Sequence, residues 1–168
     1  MSTEELAGMN AEAALYTAIW TRRVGPQPSG ALRPLPGEAD RDRLIRCGHW
    51  LRQLWNAQAE KKTRFVRLCY IPSCRELVIA CASAGTLHVE LARLPLSPEQ
   101  LEKAEQLTQT WQVGGSTDPL VIRWNLRMNF GTDIERTADF ALAIFREVYL
   151  LPPGEYLWIL ADCEMGII

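Results

Sequence analysis

FVRLCYIPSCRELVIACASAGTLHVEL, residues 65–91, is the stretch that decides the fold. Phe65 to Tyr70 and Leu77 to Ala82 are short apolar runs joined by a segment containing Pro72 and Ser73, the pattern of a β-hairpin. From Thr86 to Leu91 the period becomes strictly two. Leu87, Val89 and Leu91 alternate with Thr86, His88 and Glu90, which predicts a third strand with one buried and one wet face. The three together predict an antiparallel meander.

Upstream of this stretch the period is helical. Leu44, Cys47, Leu51, Leu54 and Trp55 form an apolar stripe between charged positions, predicting a helix from near Glu38 to Ala59 that packs on the domain. Before it, residues 22–40 carry Pro26, Pro28, Pro34 and Pro36 with Gly25, Gly30 and Gly37, a density that reads as an extended linker. Residues 1–21 repeat apolar side chains at Leu6, Met9, Ala13, Tyr16 and Trp20, predicting an amphipathic N-terminal helix. Residues 41–168 are then one domain.

Downstream, Ser97-Pro98-Glu99-Gln100 is a capping box that opens a helix running to about Trp111, ended by Gly114-Gly115. Val121 to Phe130 reads as a strand. Ile122, Trp124, Leu126, Met128 and Phe130 face one way, and Arg123, Asn125, Arg127 and Asn129 the other, so the sheet is expected to keep one solvated face. Thr132-Asp133-Ile134-Glu135 reads as a second capping box. The helix it opens carries Ile134, Ala138, Ala141, Phe145 and Val148 at alternating spacings of four and three. Pro152-Pro153-Gly154 breaks the chain before a last strand from Tyr156 to Leu160. The predicted class is α+β, an antiparallel sheet with helices packed on one face.

With 168 residues, 48% of them apolar, the chain suits one substantial core. A formal charge of −2 supplies no net positive field to draw the molecule onto a phosphate backbone, so nucleic acid is not the expected partner. No apolar run reaches the roughly 20 residues that a membrane helix needs. The start, Met1-Ser2-Thr3-Glu4-Glu5, is acidic where a secretory signal is basic, and a cytoplasmic location is expected. Five cysteines, Cys47, Cys69, Cys74, Cys81 and Cys163, lie among apolar neighbours and suit free thiols in a reducing compartment.

The element order of residues 41–151, helix, three strands, helix, strand, helix, resembles that of the YbjN-like and type III secretion chaperone-like families. Phe65-Val66-Arg67-Leu68, Leu96-Ser97-Pro98-Glu99-Gln100-Leu101 leading to Trp111, Asn125, and Ala141-Leu142 with Phe145-Arg146-Glu147-Val148-Tyr149 carry the resemblance. It covers about two thirds of the chain. These landmarks are mostly core and cap residues, so they speak to fold more than to activity. The resemblance implies a protein-binding, chaperone-like role, often as a homodimer and without a catalytic centre. The N-terminal helix, the last strand and a single long strand after the middle helix depart from that pattern.

The residues themselves offer little chemistry. Cys47 with His49, or Cys69 with Cys74 and Cys81, are ligand types for zinc, but the paired short spacing of a structural site is missing. His49 and His88 lie in no nucleophile motif, and Gly114-Gly115-Ser116-Thr117-Asp118 lacks the order and the lysine of a phosphate-binding loop. Neither a metal nor another cofactor is expected. Two surfaces are candidates for a partner. One is the polar strand face of Arg123, Asn125 and Arg127, extended by Arg67, whose planar donors suit a carboxylate or phosphate and admit an anion- or nucleotide-binding reading. The other is the flank of the last helix, where Phe140, Ile144 and Leu151 lie off the main stripe and suit a protein surface or an added core layer.

Overall fold

In helix α1 (Asp40–Ala57) the apolar stripe becomes a contact face: Leu44, Cys47 and Leu51 are buried together with Arg43 and Gly48. Asp40 and Asp42 in its first turn complement the positive end of the helix dipole. At the other end Lys61 Nζ donates to the carbonyls of Trp55 and Asn56 at 3.2 and 2.7 Å, and lies 4.9 Å from the Trp55 ring centre. The computed structural model describes residues 32, 34–61, 63–70, 75–115, 125–152, 154 and 157–162. The expected N-terminal helix, residues 1–21, and the turn at Pro72 and Ser73 lie outside the described residues.

The hairpin and meander form as β1 (Arg64–Tyr70), β2 (Arg75–Ala82) and β3 (Thr86–Ala92). Helix α2 (Pro98–Thr110) follows, then a two-residue strand β4 (Gly114–Gly115), β5 (Asn125–Gly131), helix α3 (Ile134–Ala143) and β6 (Trp158–Asp162). The described strands make one sheet in the order β4-β5-β3-β2-β1-β6, with every neighbouring pair antiparallel. This is the α+β architecture expected from the sequence. Residues 121–124, at the start of the expected long strand, are not described, and the pairing of Gly114-Gly115 with Asn129 and Met128 was not foreseen from a loop-forming dipeptide.

The Ser97 cap forms as read. Gln100 N donates to Ser97 Oγ at 3.2 Å and Ser97 N to Gln100 Oε1 at 3.0 Å, with Pro98 in the first turn. The second cap differs by one residue. Asp133, not Thr132, is the N-cap and accepts from Arg136 N at 3.0 Å; the third helical position is then Arg136, so no glutamate returns the bond.

Helix α3 passes into a single π-helical turn, Ile144–Val148, closed by Tyr149 N donating to Ile144 O at 3.0 Å. Ile134, Ala138 and Phe140 to Leu142 are buried, as are Ile144, Phe145 and Val148 in the turn. The burial is wide because α3 has protein on more than one side, packing against α1 and against β3 and β5, while α2 packs on the π turn.

Close approach of α1 and α3 depends on a glycine. A Cβ built on Gly48 would lie 2.7 Å from Ile134 Cγ2, inside any real contact. Overpacking costs about 1–3 kcal/mol, while replacing an interior helical glycine by alanine returns about 1 kcal/mol. Gly48→Ala is therefore expected to lower stability by up to about 2 kcal/mol in urea denaturation. An increase would show that the helices separate without cost.

The main core joins α1, α2, α3 and one sheet face through Val66, Leu68, Leu77, Ile79, Leu87, Val89, Leu126, Met128 and Ile159. Leu32 also enters it, so the proline-rich segment is packed at that residue rather than extended clear of the domain. Buried Arg43 ties the two ends together, donating from Nε to Leu32 O at 2.8 Å and from Nη1 to Leu157 O at 2.6 Å.

The other sheet face is not the solvated surface expected from the alternation of β3 and β5. Phe65, Val78 and Ala80 form a second buried cluster there, and His88, Glu90 and Asn125 are also buried. The physical reason is visible in β1 and β2, which are apolar at both odd and even positions, as strands covered on both sides must be.

Candidate functional site

Sheet register sets the second face out in rows. Arg127 of β5 stands opposite Glu90 of β3, which stands opposite Val78 of β2 and then Arg67 of β1. The adjoining row is Asn129, His88, Ala80 and Phe65. Side chains facing each other across antiparallel strands are close enough to interact.

Glu90 is the centre of this arrangement. It is 2% exposed, and a carboxylate so enclosed is tolerated only when its oxygens are matched by donors. Asn125 Nδ2 donates to Oε1 at 2.6 Å, and Arg127 approaches Oε2 with both Nε and Nη2 at 3.0 Å. His88 Nε2 lies 3.5 Å from the same oxygen, too far for a good hydrogen bond, and this buried nitrogen has no hydrogen-bond partner.

Arg67 is likewise occupied. Its Nη2 donates to Glu76 Oε1, and Cys69 Sγ lies 3.6 Å from that oxygen. The candidate strand face is therefore brought together in part: Asn125 and Arg127 share Glu90, while Arg67 lies two strands away from it with a carboxylate of its own. Arg123 lies outside the described residues. Phe140 and Ile144, read as available to a partner, are fully enclosed in the main core, with Phe140 against the rings of Phe130 and Trp111. They offer a partner no surface because α3 is covered by α1, by the sheet and, through its π turn, by α2. Leu151 is partly buried against the same core.

His49 is exposed on α1, whereas His88, expected on a wet face, is buried. Among the described residues no group of three His, Cys, Asp or Glu side chains is placed to hold a metal ion. Cys47, Cys69 and Cys81 are free thiols. Burial pushes the Cys47 thiol up to about 12 against the pull of Arg43 and Arg46. Burial, with the Glu76 charge behind it, pushes Cys69 up to about 12 as well. A thiol so shifted holds almost no thiolate at neutral or mildly alkaline pH, and the thiolate is the nucleophile. Iodoacetamide at pH 8 is thus expected to leave Cys47 and Cys69 unmodified in the folded chain, by mass-spectrometric site mapping, and to label both in urea. Rapid labelling of either in the folded chain would contradict their enclosure.

Sequence reasoning missed Glu90 and Glu76 as partners of the strand arginines, and the burial of His88 beside Glu90. The two-parity apolar character of β1 and β2 was the available signal that the polar residues beside them are enclosed. Pairing Glu90 with Arg127 needed the knowledge that β3 and β5 are neighbours although α2 and β4 intervene in the chain.

The chain matches no family model, no curated protein and no solved structure. Among the described residues no helix is long and apolar enough to cross a membrane.

Proposed function

We propose that the chain is a non-enzymatic protein-binding module of chaperone-like or regulatory kind, cytoplasmic and homodimeric. The observation that carries this reading is the order of elements, helix, three antiparallel strands, helix, two strands of which the first has only two residues, and helix, which is similar to the order of type III secretion chaperone-like and YbjN-like domains. Fold order alone transfers no chemistry, so the side chains must agree with it. The alternative, a grip on phosphate or nucleotide by the strand arginines, needs cationic groups left available on the second face. Arg127 is bonded to Glu90 and Arg67 to Glu76, which favours the protein-binding reading over a multi-arginine anion grip.

The test is affinity capture by the tagged full-length chain from the cells that make it, with untagged chain as competitor. One or a few polypeptides, displaced saturably by the competitor, are the expected result. A folded bait that returns nothing above control would remove the reading. Light scattering of the same preparation checks the dimer, with a mass twice that of the chain expected in dilute solution.

A further inference from the structure

Helix α1 carries Arg43 and Arg46 three residues apart, on one face, and both reach the segment that precedes the helix. Arg46 pairs with Glu38 at 2.8 Å, Leu35 N donates to the same carboxylate at 3.1 Å, and Glu38 N donates to Leu35 O at 3.0 Å. This turn, with Gly37 at a φ of +73°, is thereby pinned to the helix. Residues 34–37 are exposed, whereas Leu32 is 1% exposed, so among the described residues the segment enters the core at Leu32.

Strand β6 lies far from this segment in the chain and at one edge of the sheet. Among the described strands it bonds to β1 alone, and Leu157, just before it, and Ile159 are buried in the main core.

These two peripheral pieces share a donor. Arg43, 5% exposed, donates from Nε to Leu32 O at 2.8 Å and from Nη1 to Leu157 O at 2.6 Å. A guanidinium is planar and its donors are fixed in direction, so the two bonds form together only when both carbonyls are in place. Lifting Leu32 takes away one acceptor and lets water reach the guanidinium. A charged donor that meets water loses most of its advantage in bonding a carbonyl, so the hold on Leu157 weakens as well. The same holds in reverse when Leu157 moves.

We propose that Arg43 is a latch that makes the Leu32 segment and strand β6 open and close as one unit. A pull on the proline-rich segment then reaches the edge of the sheet and frees the outer side of β1, from Phe65 to Cys69, from its strand partner. β2 and β3 lie inside the sheet with a strand on either side and stay closed. Openings of this kind use peripheral elements and occur below the cost of global unfolding. The latch is independent of the protein-binding reading.

The test is amide hydrogen exchange of the folded full-length chain, resolved by NMR, in the parent, Leu32→Ala, Arg43→Lys and the double variant. Leu32→Ala loosens the segment and leaves both carbonyls and Arg43 in the chain. It is expected to speed exchange in β6, and in the β1 amides bonded to it, at least about fivefold more than in β2 and β3. Arg43→Lys, whose single ammonium does not reproduce the two diverging bonds, is expected to do the same. Adding Leu32→Ala to Arg43→Lys is expected to bring less than about a further threefold, because the link between the two pieces is already cut. The proposal is overturned if the excess in β6 for Leu32→Ala falls below fivefold, whether because β6 is unchanged or because the whole sheet speeds up, or if the two substitutions multiply. Should Arg43→Lys not fold, Leu32→Ala decides by the first criterion.

Discussion

Replacing Glu90 by glutamine is expected to lower the folding stability by about 3 kcal/mol. Removing one partner of a buried ion pair costs about 3–5 kcal/mol, chiefly because the remaining charge is left uncompensated. Arg127 is the group left behind, and with its side chain 24% exposed it recovers part of its solvation, which places the cost at the lower end. The glutamine keeps the volume and one acceptor for Asn125, so lost packing contributes little. Urea denaturation at fixed pH measures the change. A loss below about 1 kcal/mol, the value typical of exposed pairs, would mean that Glu90 is solvated and that the second sheet face is open. Replacing Glu90 and Arg127 together by leucine and methionine is expected to recover most of the loss, since well-packed apolar residues substitute for a buried pair at little cost.

Phe140→Ala is expected to cost about 3–5 kcal/mol, the range for truncating a fully buried aromatic side chain. Phe140 has no exposed surface and meets the Phe130 ring at a centroid distance of 5.1 Å and the Trp111 ring, edge on, at 5.3 Å. The cavity left is bounded by β5, α2 and the rest of α3, which restricts collapse. The same substitution separates two roles for the residue. As a core residue it lowers the denaturation midpoint whatever the protein concentration. As an interface residue it would leave the monomer's stability nearly unchanged and shift the monomer–dimer balance, an outcome that would contradict the packing described for α3.

Much of the fold is legible along the chain, and the reason differs from element to element. α1, α2 and α3 carry apolar stripes of helical period, and Ser97 with Gln100 specifies the start of α2 through local bonds alone. β1, β2 and β3 follow one another at short range, so their pairing follows from proximity. Phe140 and Ile144 suited either a partner surface or an added core layer in the sequence, and the structure buries both because α3 is covered on more than one side. No local pattern reports how many neighbours a helix has. The π turn was likewise invisible, since Ile144, Phe145 and Val148 remain apolar in either helical form.

The polar residues of the second face show the same limit from the other direction. Alternation in β3 and β5 predicts a wet side, and His88, Glu90, Asn125 and Arg127 were read accordingly. What overrides the pattern is non-local. Glu90 finds Asn125 and Arg127 on a strand 35 to 37 residues further along the chain, and once matched they are enclosed together. The sequence holds a hint in the continuous apolar character of β1 and β2, but it does not state which charges pair. Arg127 thus appears as an available cation in the sequence and as a committed one in the structure, and the functional reading turns on that difference.

The most direct test of that commitment is the coupling energy between Glu90 and Arg127, from a double-mutant cycle using Glu90→Gln, Arg127→Gln and the double variant, with stabilities measured in urea. Residues in one hydrogen-bonded network couple by roughly 0.5–3 kcal/mol. A favourable coupling in the upper half of that range is predicted. Additive effects, within about 0.5 kcal/mol, would show that Arg127 is not held by Glu90, and would return the strand face to the set of cations available to a phosphate-bearing ligand.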